Sequence, residues 1–144
     1  MQSQSDYITT TEANAEVRAL RTYHQAQVRE FREACGDVVS DTPKLQNQAI
    51  LRLGYELINE EVSELRDSIL DADAVEILDA LGDITYLVYN LAAACGYDLD
   101  ETFDRIHATN MAKVGRDGRV RRRADGKILK PAGWQPPDLA DLVA

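Results

Sequence analysis

Apolar residues recur at three- and four-residue spacing along four stretches of this chain, and polar or turn-forming residues separate them. That period predicts helices, not strands. Thr11 is a candidate N-cap for a helix running to about Ala34, with Val17, Leu20, Val28 and Phe31 as its apolar positions and Gly36 beyond its end. Asp41-Thr42-Pro43 offers a cap with proline near the first turn, so a long second helix is expected from there to about Leu70. After a break at Asp71-Ala72-Asp73, a third helix rich in Ala, Leu, Ile and Val is expected from about Ala74 to Cys95, where Gly96 stops it. Asp98 or Asp100 begins a fourth, with helical residues from Thr102 to about Lys113 and Phe103, Ile106 and Met111 on its packing face. The expectation is an all-α fold: a polar, frayed 1–10, a helical domain over 11–113 arranged as a four-helix bundle, and a non-helical C-terminal arm or lid over 114–144.

Polar positions on the second and third helices change this picture. Glu60, Glu61 and Glu64 fall within one arc of about 100° that also holds Leu53 and Leu57, so these acids share the face expected to be buried. Glu76, Asp79 and Asp83 line up in the same way with Leu87 and Asn90. Carboxylates brought together on an apolar face repel one another and lose hydration, which calls for a compensating cation. Between Glu56 and Asp83 the only basic side chain is Arg66. A metal site is therefore expected, and oxygen-only ligands point to Mg²⁺ or Mn²⁺.

Charge is unevenly distributed. The formal net charge of −9 argues against nucleic acid as a partner, yet eight of the sixteen basic residues lie between Lys113 and Lys130. Asp117-Gly118 and Asp125-Gly126 are turn dipeptides within that stretch, and Pro131 to Pro137 makes a rigid extended segment around the single Trp134. The arm is thus a candidate phosphate-binding lid. Cys35 and Cys95 stand apart, with no metal-ligand spacing, and are expected to be reduced thiols in a cytoplasmic protein. No apolar run reaches the ~18 residues of a membrane span. Tyr86 and Tyr89 are read as core residues, and Arg52 as a partner of Glu56 one turn on.

Three stretches together resemble the all-α nucleoside triphosphate pyrophosphatases, the MazG-like superfamily that includes dimeric dUTPases and phosphoribosyl-ATP pyrophosphohydrolases. Leu57 to Leu65 is similar to the E-E-x-x-E metal motif, and Ala80 to Tyr89 to the second, E-x-x-D motif. His107 to Val114 with Asp125 to Leu139 resembles the arm of phage-type and dUTPase-like members. One departure is that Ala80 stands where the second motif has its Glu; Asp79 is the favoured companion of Asp83, with Glu76 as the other candidate.

The resemblance implies hydrolysis of a (deoxy)nucleoside triphosphate between its α and β phosphates, giving a monophosphate and pyrophosphate for nucleotide-pool control, with dGTP or dUTP among candidate substrates. Glu60, Glu61, Glu64, Asp79 and Asp83 are then the metal set, with Glu60 also the general base. Asn110 and Lys113 contact sugar or phosphate by the same analogy, while Lys127 and Lys130, with Arg122 or Arg123, close over the polyphosphate. Trp134 stacks on a base or packs on a neighbouring subunit. A homo-oligomer, dimer or tetramer, is expected, with no membrane partner. The alternatives are a phosphoribosyl-ATP pyrophosphohydrolase, or a helical metal-binding or oligomerisation module without catalysis.

Overall fold

The computed structural model describes residues 23–144. Four helices follow in order: α1 (Tyr23–Cys35), α2 (Gln48–Leu70), α3 (Ala74–Cys95) and α4 (Leu99–Met111), with a 3-10 turn at Ala140–Leu142 near the C-terminus. The fold is all-α and consistent with a four-helix bundle; among the described residues the β structure is limited to one antiparallel bridge, Arg122 to Ile128. The expected helix start at Thr11, its positions Val17 and Leu20, and the frayed 1–10 lie outside the described residues.

An α2–α3 hairpin is the frame of the molecule, and α1 packs across α3. Its turn is short because Ala72 takes a left-handed φ of 54° and Asp73 caps α3, its carboxylate accepting from the Val75 and Glu76 amides. The second helix starts later than Asp41-Thr42-Pro43 suggests. Asn47 is its cap, accepting from Ala49 and Ile50 at 3.0 and 3.1 Å. The preceding segment has other partners: the Ser40 and Lys44 amides donate to the Ala93 and Cys95 carbonyls, and Gln46, itself buried, donates to the Ala94 carbonyl at 2.8 Å. At the end of α3 the Ala93 carbonyl has only the Gly96 cap amide at 3.3 Å and the next two have no helical amide ahead of them, so the loop satisfies them by staying out of helix.

Gly96 makes that junction possible. It ends α3 at φ 66°, and a Cβ placed on it would lie 2.3 Å from the Thr42 carbonyl oxygen. A Gly96→Ala protein is expected to lose about 2 kcal/mol or more of stability, combining left-handed strain with a backbone clash. Gly36→Ala is the matched control, since Gly36 has φ 74° but open space around it and should cost only about 1 kcal/mol. Denaturant unfolding of the two variants measures the difference.

Among the described residues the buried apolar side chains are small: Val28, Ala80, Ala92, Ala93, Ala94 and Cys95. Larger apolar groups on α2 and α3 remain exposed, Leu70 at 77%, Val75 at 74% and Leu78 at 72%. The expectation that Leu53 and Leu57 lie on a buried face with the acids is not met within one chain, because Leu53 is exposed and Leu57 only partly covered. Tyr86 is likewise open to solvent, whereas Tyr89 is partly buried and donates its hydroxyl to Asp100 at 2.9 Å. Burial, followed by that hydrogen bond, pushes the Tyr89 phenol up to about 12. The contact ties α4 to α3, and the Gln25 side chain adds a bond to the Tyr97 carbonyl.

Beyond α4 the chain forms two tight turns, with Gly118 at φ 72° and Gly126 at φ 84°, and then folds back along α4. Arg105 holds the returning segment through Asp141 and the Asp138 carbonyl.

Candidate active site

The first acid cluster sits on the C-terminal half of α2 and the second on the N-terminal half of α3, where the hairpin sets the two helices side by side. Glu60, Glu64, Asp79 and Asp83 are exposed, and Glu61 between them is partly buried. Burial first, then repulsion from Glu64, Asp83, Glu60 and Asp79, pushes the Glu61 carboxyl above the ordinary range. Ala80, the residue that replaces the motif glutamate, is buried. None of the five acid side chains makes a hydrogen bond or ion pair among the described residues. Arg66, the nearest basic residue in sequence, is engaged by Asp67 at 2.7 Å.

A hard divalent cation suits this donor set, which offers carboxylate oxygens without thiol or imidazole. As the side chains stand, no three Asp, Glu, His or Cys groups among the described residues meet closely enough to hold an ion. The acids share a region and a field without forming a closed shell, the arrangement that mutual repulsion favours.

The expected substrate residues lie on α4 and the arm. Lys113 donates to the Asn110 side chain at 2.7 Å, so this pair stands together. Trp134 is partly buried against α4; its indole N–H donates to the Thr109 carbonyl at 2.7 Å, and the ammonium groups of Lys130 and Lys113 lie 4.2 and 5.1 Å from its ring centroid. These contacts make Trp134 the pin that fastens the arm to α4 and gathers two lysines. Arg122 donates to the Gly126 carbonyl and Arg123 pairs with Asp125, both within the second turn, while Lys127 is exposed. A hollow of about 280 Å³ opens between Lys113, Arg119, Arg121, Lys130 and Pro131. No hydrogen bond or ion pair among the described residues joins these cations to the acid cluster. The expected Arg52–Glu56 pair is not formed either.

Sequence reasoning passed over Arg32. It is nine-tenths buried at the end of α1 and donates to the Val38 carbonyl and to the Asn90 side chain. Its signal was an arginine four residues after Val28 on the apolar stripe of the first helix.

No helix of the described residues is long and apolar enough to cross a membrane. A 55-residue stretch of the chain is 44% identical to "Uncharacterized protein L479" of Acanthamoeba polyphaga mimivirus, covering 38% of this chain and 22% of that protein's length. The description "Phosphoribosyl-ATP pyrophosphohydrolase" belongs to the family whose sequence profile matches residues 28–110, a span that holds both acid clusters and ends before the arm. With most of the chain matched and the clustered carboxylates inside the match, the protein belongs to the phosphoribosyl-ATP pyrophosphohydrolase family, within the MazG-like all-α superfamily.

Proposed function

We propose that the protein hydrolyses (deoxy)nucleoside triphosphates between the α and β phosphates, using Mg²⁺ or Mn²⁺. The observation that carries this reading is the pair of acid clusters on adjoining helices, Glu60, Glu61 and Glu64 beside Asp79 and Asp83, which lie inside the family match and whose side chains make no hydrogen bond or ion pair among the described residues. Glu61, Glu64 and Asp83, with Asp79 beside them, would hold the divalent ion, which would supply charge to offset phosphate oxygens and make water more acidic. Glu60 accepts the proton of the attacking water. The new bond forms at the α-phosphorus as the bond to the bridging oxygen breaks, so the products are a monophosphate and pyrophosphate. Lys127 and Lys130, with Arg122 or Arg123, offset charge on the leaving pyrophosphate, and the Asn110–Lys113 pair holds sugar or phosphate.

Pyrophosphate release from dGTP, dATP, dCTP, dTTP, dUTP and phosphoribosyl-ATP, each with and without Mg²⁺ or Mn²⁺, is the test. Release from one or more deoxynucleotides only with metal is the expected result; orthophosphate as the product would sink the scission assigned here. Phosphoribosyl-ATP is the second reading, favoured by the description of the matched family. Activity confined to it would move the assignment there. A folded protein inert toward every substrate would point to a metal-binding or oligomerisation module.

The exposed Leu70, Val75 and Leu78 support a second copy as partner, in a dimer or a tetramer. Light scattering at micromolar concentration is expected to give twice or four times the chain mass, and a monomer would remove this part of the reading. The acidic body supports a free nucleotide over nucleic acid as the ligand.

A further inference from the structure

Directly above the acid cluster, α1, α2 and α3 enclose a cleft of about 430 Å³ whose lining includes Phe31, Arg32, Asp37, Leu57, Tyr86 and Asn90. Leu57 is one helical turn before Glu60 and Glu61 on α2, and Tyr86 one turn after Asp83 on α3, so cleft and acids follow one another along the same two faces. A turn rises about 5.4 Å, comparable to the sugar that separates a base from its α-phosphate.

Two groups in this cleft have unused hydrogen-bonding capacity. Arg32 has five N–H donors, and the described residues take up only two, through the Val38 carbonyl and Asn90. The Asp37 carboxylate has no side-chain partner among the described residues, and it does not pair with Arg32 although both line the cleft. The spare Arg32 donors are open to the cleft, since among the described residues the buried side-chain polar atom left without a partner is Asp100 Oδ2, so an acceptor on a guest can take the place of water there. Phe31 and Tyr86 meet edge to face at 6.1 Å, with both rings partly open to solvent, and present aromatic surface to a flat guest.

We infer that this cleft is a nucleobase site in which Arg32 and Asp37 select guanine. The inference rests on the proposed triphosphate hydrolysis for its setting. Guanine presents two adjacent acceptors, O6 and N7, that match an arginine fork. On its other edge N1–H and the exocyclic amine are donors suited to a carboxylate. Adenine and cytosine place an amino donor where the fork needs an acceptor, and uracil or thymine offers a single oxygen there without the adjacent N7.

The experiment pairs turnover with binding of the product. The kcat/KM for dGTP and dITP is expected to exceed that for dATP and for the triphosphate of 2,6-diaminopurine, which lacks O6, by about 10²-fold or more. Calorimetry without metal is expected to show dGMP binding at least about 10-fold more tightly than dAMP. Arg32→Gln should bring both ratios towards one while circular dichroism stays unchanged. Because a buried arginine variant can fail to fold, Asp37→Asn is the second variant, and it should narrow the gap between dGTP and dITP. Equal binding of dGMP and dAMP by the unmodified protein would overturn the base site whatever the turnover. Tight, selective dGMP binding without hydrolysis of any triphosphate would uphold the site and remove the proposed reaction.

Discussion

Asp83→Asn is expected to lower pyrophosphate release by about 10³-fold or more while leaving the protein folded. The side chain is exposed and makes no hydrogen bond or ion pair among the described residues, so the amide costs the fold little. It also removes one of the charges that raise the Glu61 carboxyl, which relieves repulsion in the metal-free protein. Activity and stability should therefore move in opposite directions. A loss of three powers of ten corresponds to roughly 4 kcal/mol of transition-state stabilisation, within what a ligand to a catalytic ion supplies. Thermal unfolding provides a second readout. Saturating Mg²⁺ at 100 times its Kd should stabilise the unmodified protein by about 2.7 kcal/mol, and the variant by much less. Full activity in Asp83→Asn would mean that the acids on α3 are not part of the site.

Removal of residues 115–144 is expected to reduce kcat/KM by about 10²-fold or more, through loss of cations that bind and offset the polyphosphate. The helical body should survive, because the contacts that fasten the arm fall on α4: Trp134 to the Thr109 carbonyl, and Arg105 to Asp141 and the Asp138 carbonyl. Circular dichroism and the unfolding midpoint check survival, and unchanged kinetics in a folded truncation would reduce the arm to a tail. Trp134→Ala tests the same idea with one residue, since it frees Lys113 and Lys130 without removing either. Acid should loosen this clasp too. Arg105 holds the Asp141 carboxyl below the ordinary aspartate range, so the clasp is in place above a pH of ~3.9 and is lost as pH falls through the lowered value.

The sequence was most legible where a local rule and the packing agreed. Asp73, Gly96 and Asp98 stand at the boundaries their types favour, and the third helix runs over the expected residues. Asp41-Thr42-Pro43 misled for a tertiary reason: its neighbours Ser40, Lys44 and Gln46 bond carbonyls some fifty residues away, a contact with no local signature. The acid clusters were visible because carboxylates on an apolar stripe are costly, and both fall on adjoining helices. Their burial was over-read, since helical period identifies a face without saying whether this chain or another molecule covers it. Arg32 and Asp37 escaped notice because their proximity to Tyr86 and Asn90 depends on how α1 crosses α3. Trp134, left between a base and a neighbouring subunit, has its N–H committed to α4.

The connector that bonds the end of α3 also governs how the molecule opens. Its Ser40 and Lys44 amides lie in a loop, yet each donates to a carbonyl beside the best-buried side chains among the described residues, Ala94 and Cys95. Amides held in this way exchange with solvent only when the unit around them opens. The loop from α1 to α2 is therefore coupled to α3 in one cooperative unit, although its irregular backbone would suggest independent motion. Loosening it would release the last turn of α3 and the crossing of α1 together, and with that crossing the walls of the cleft.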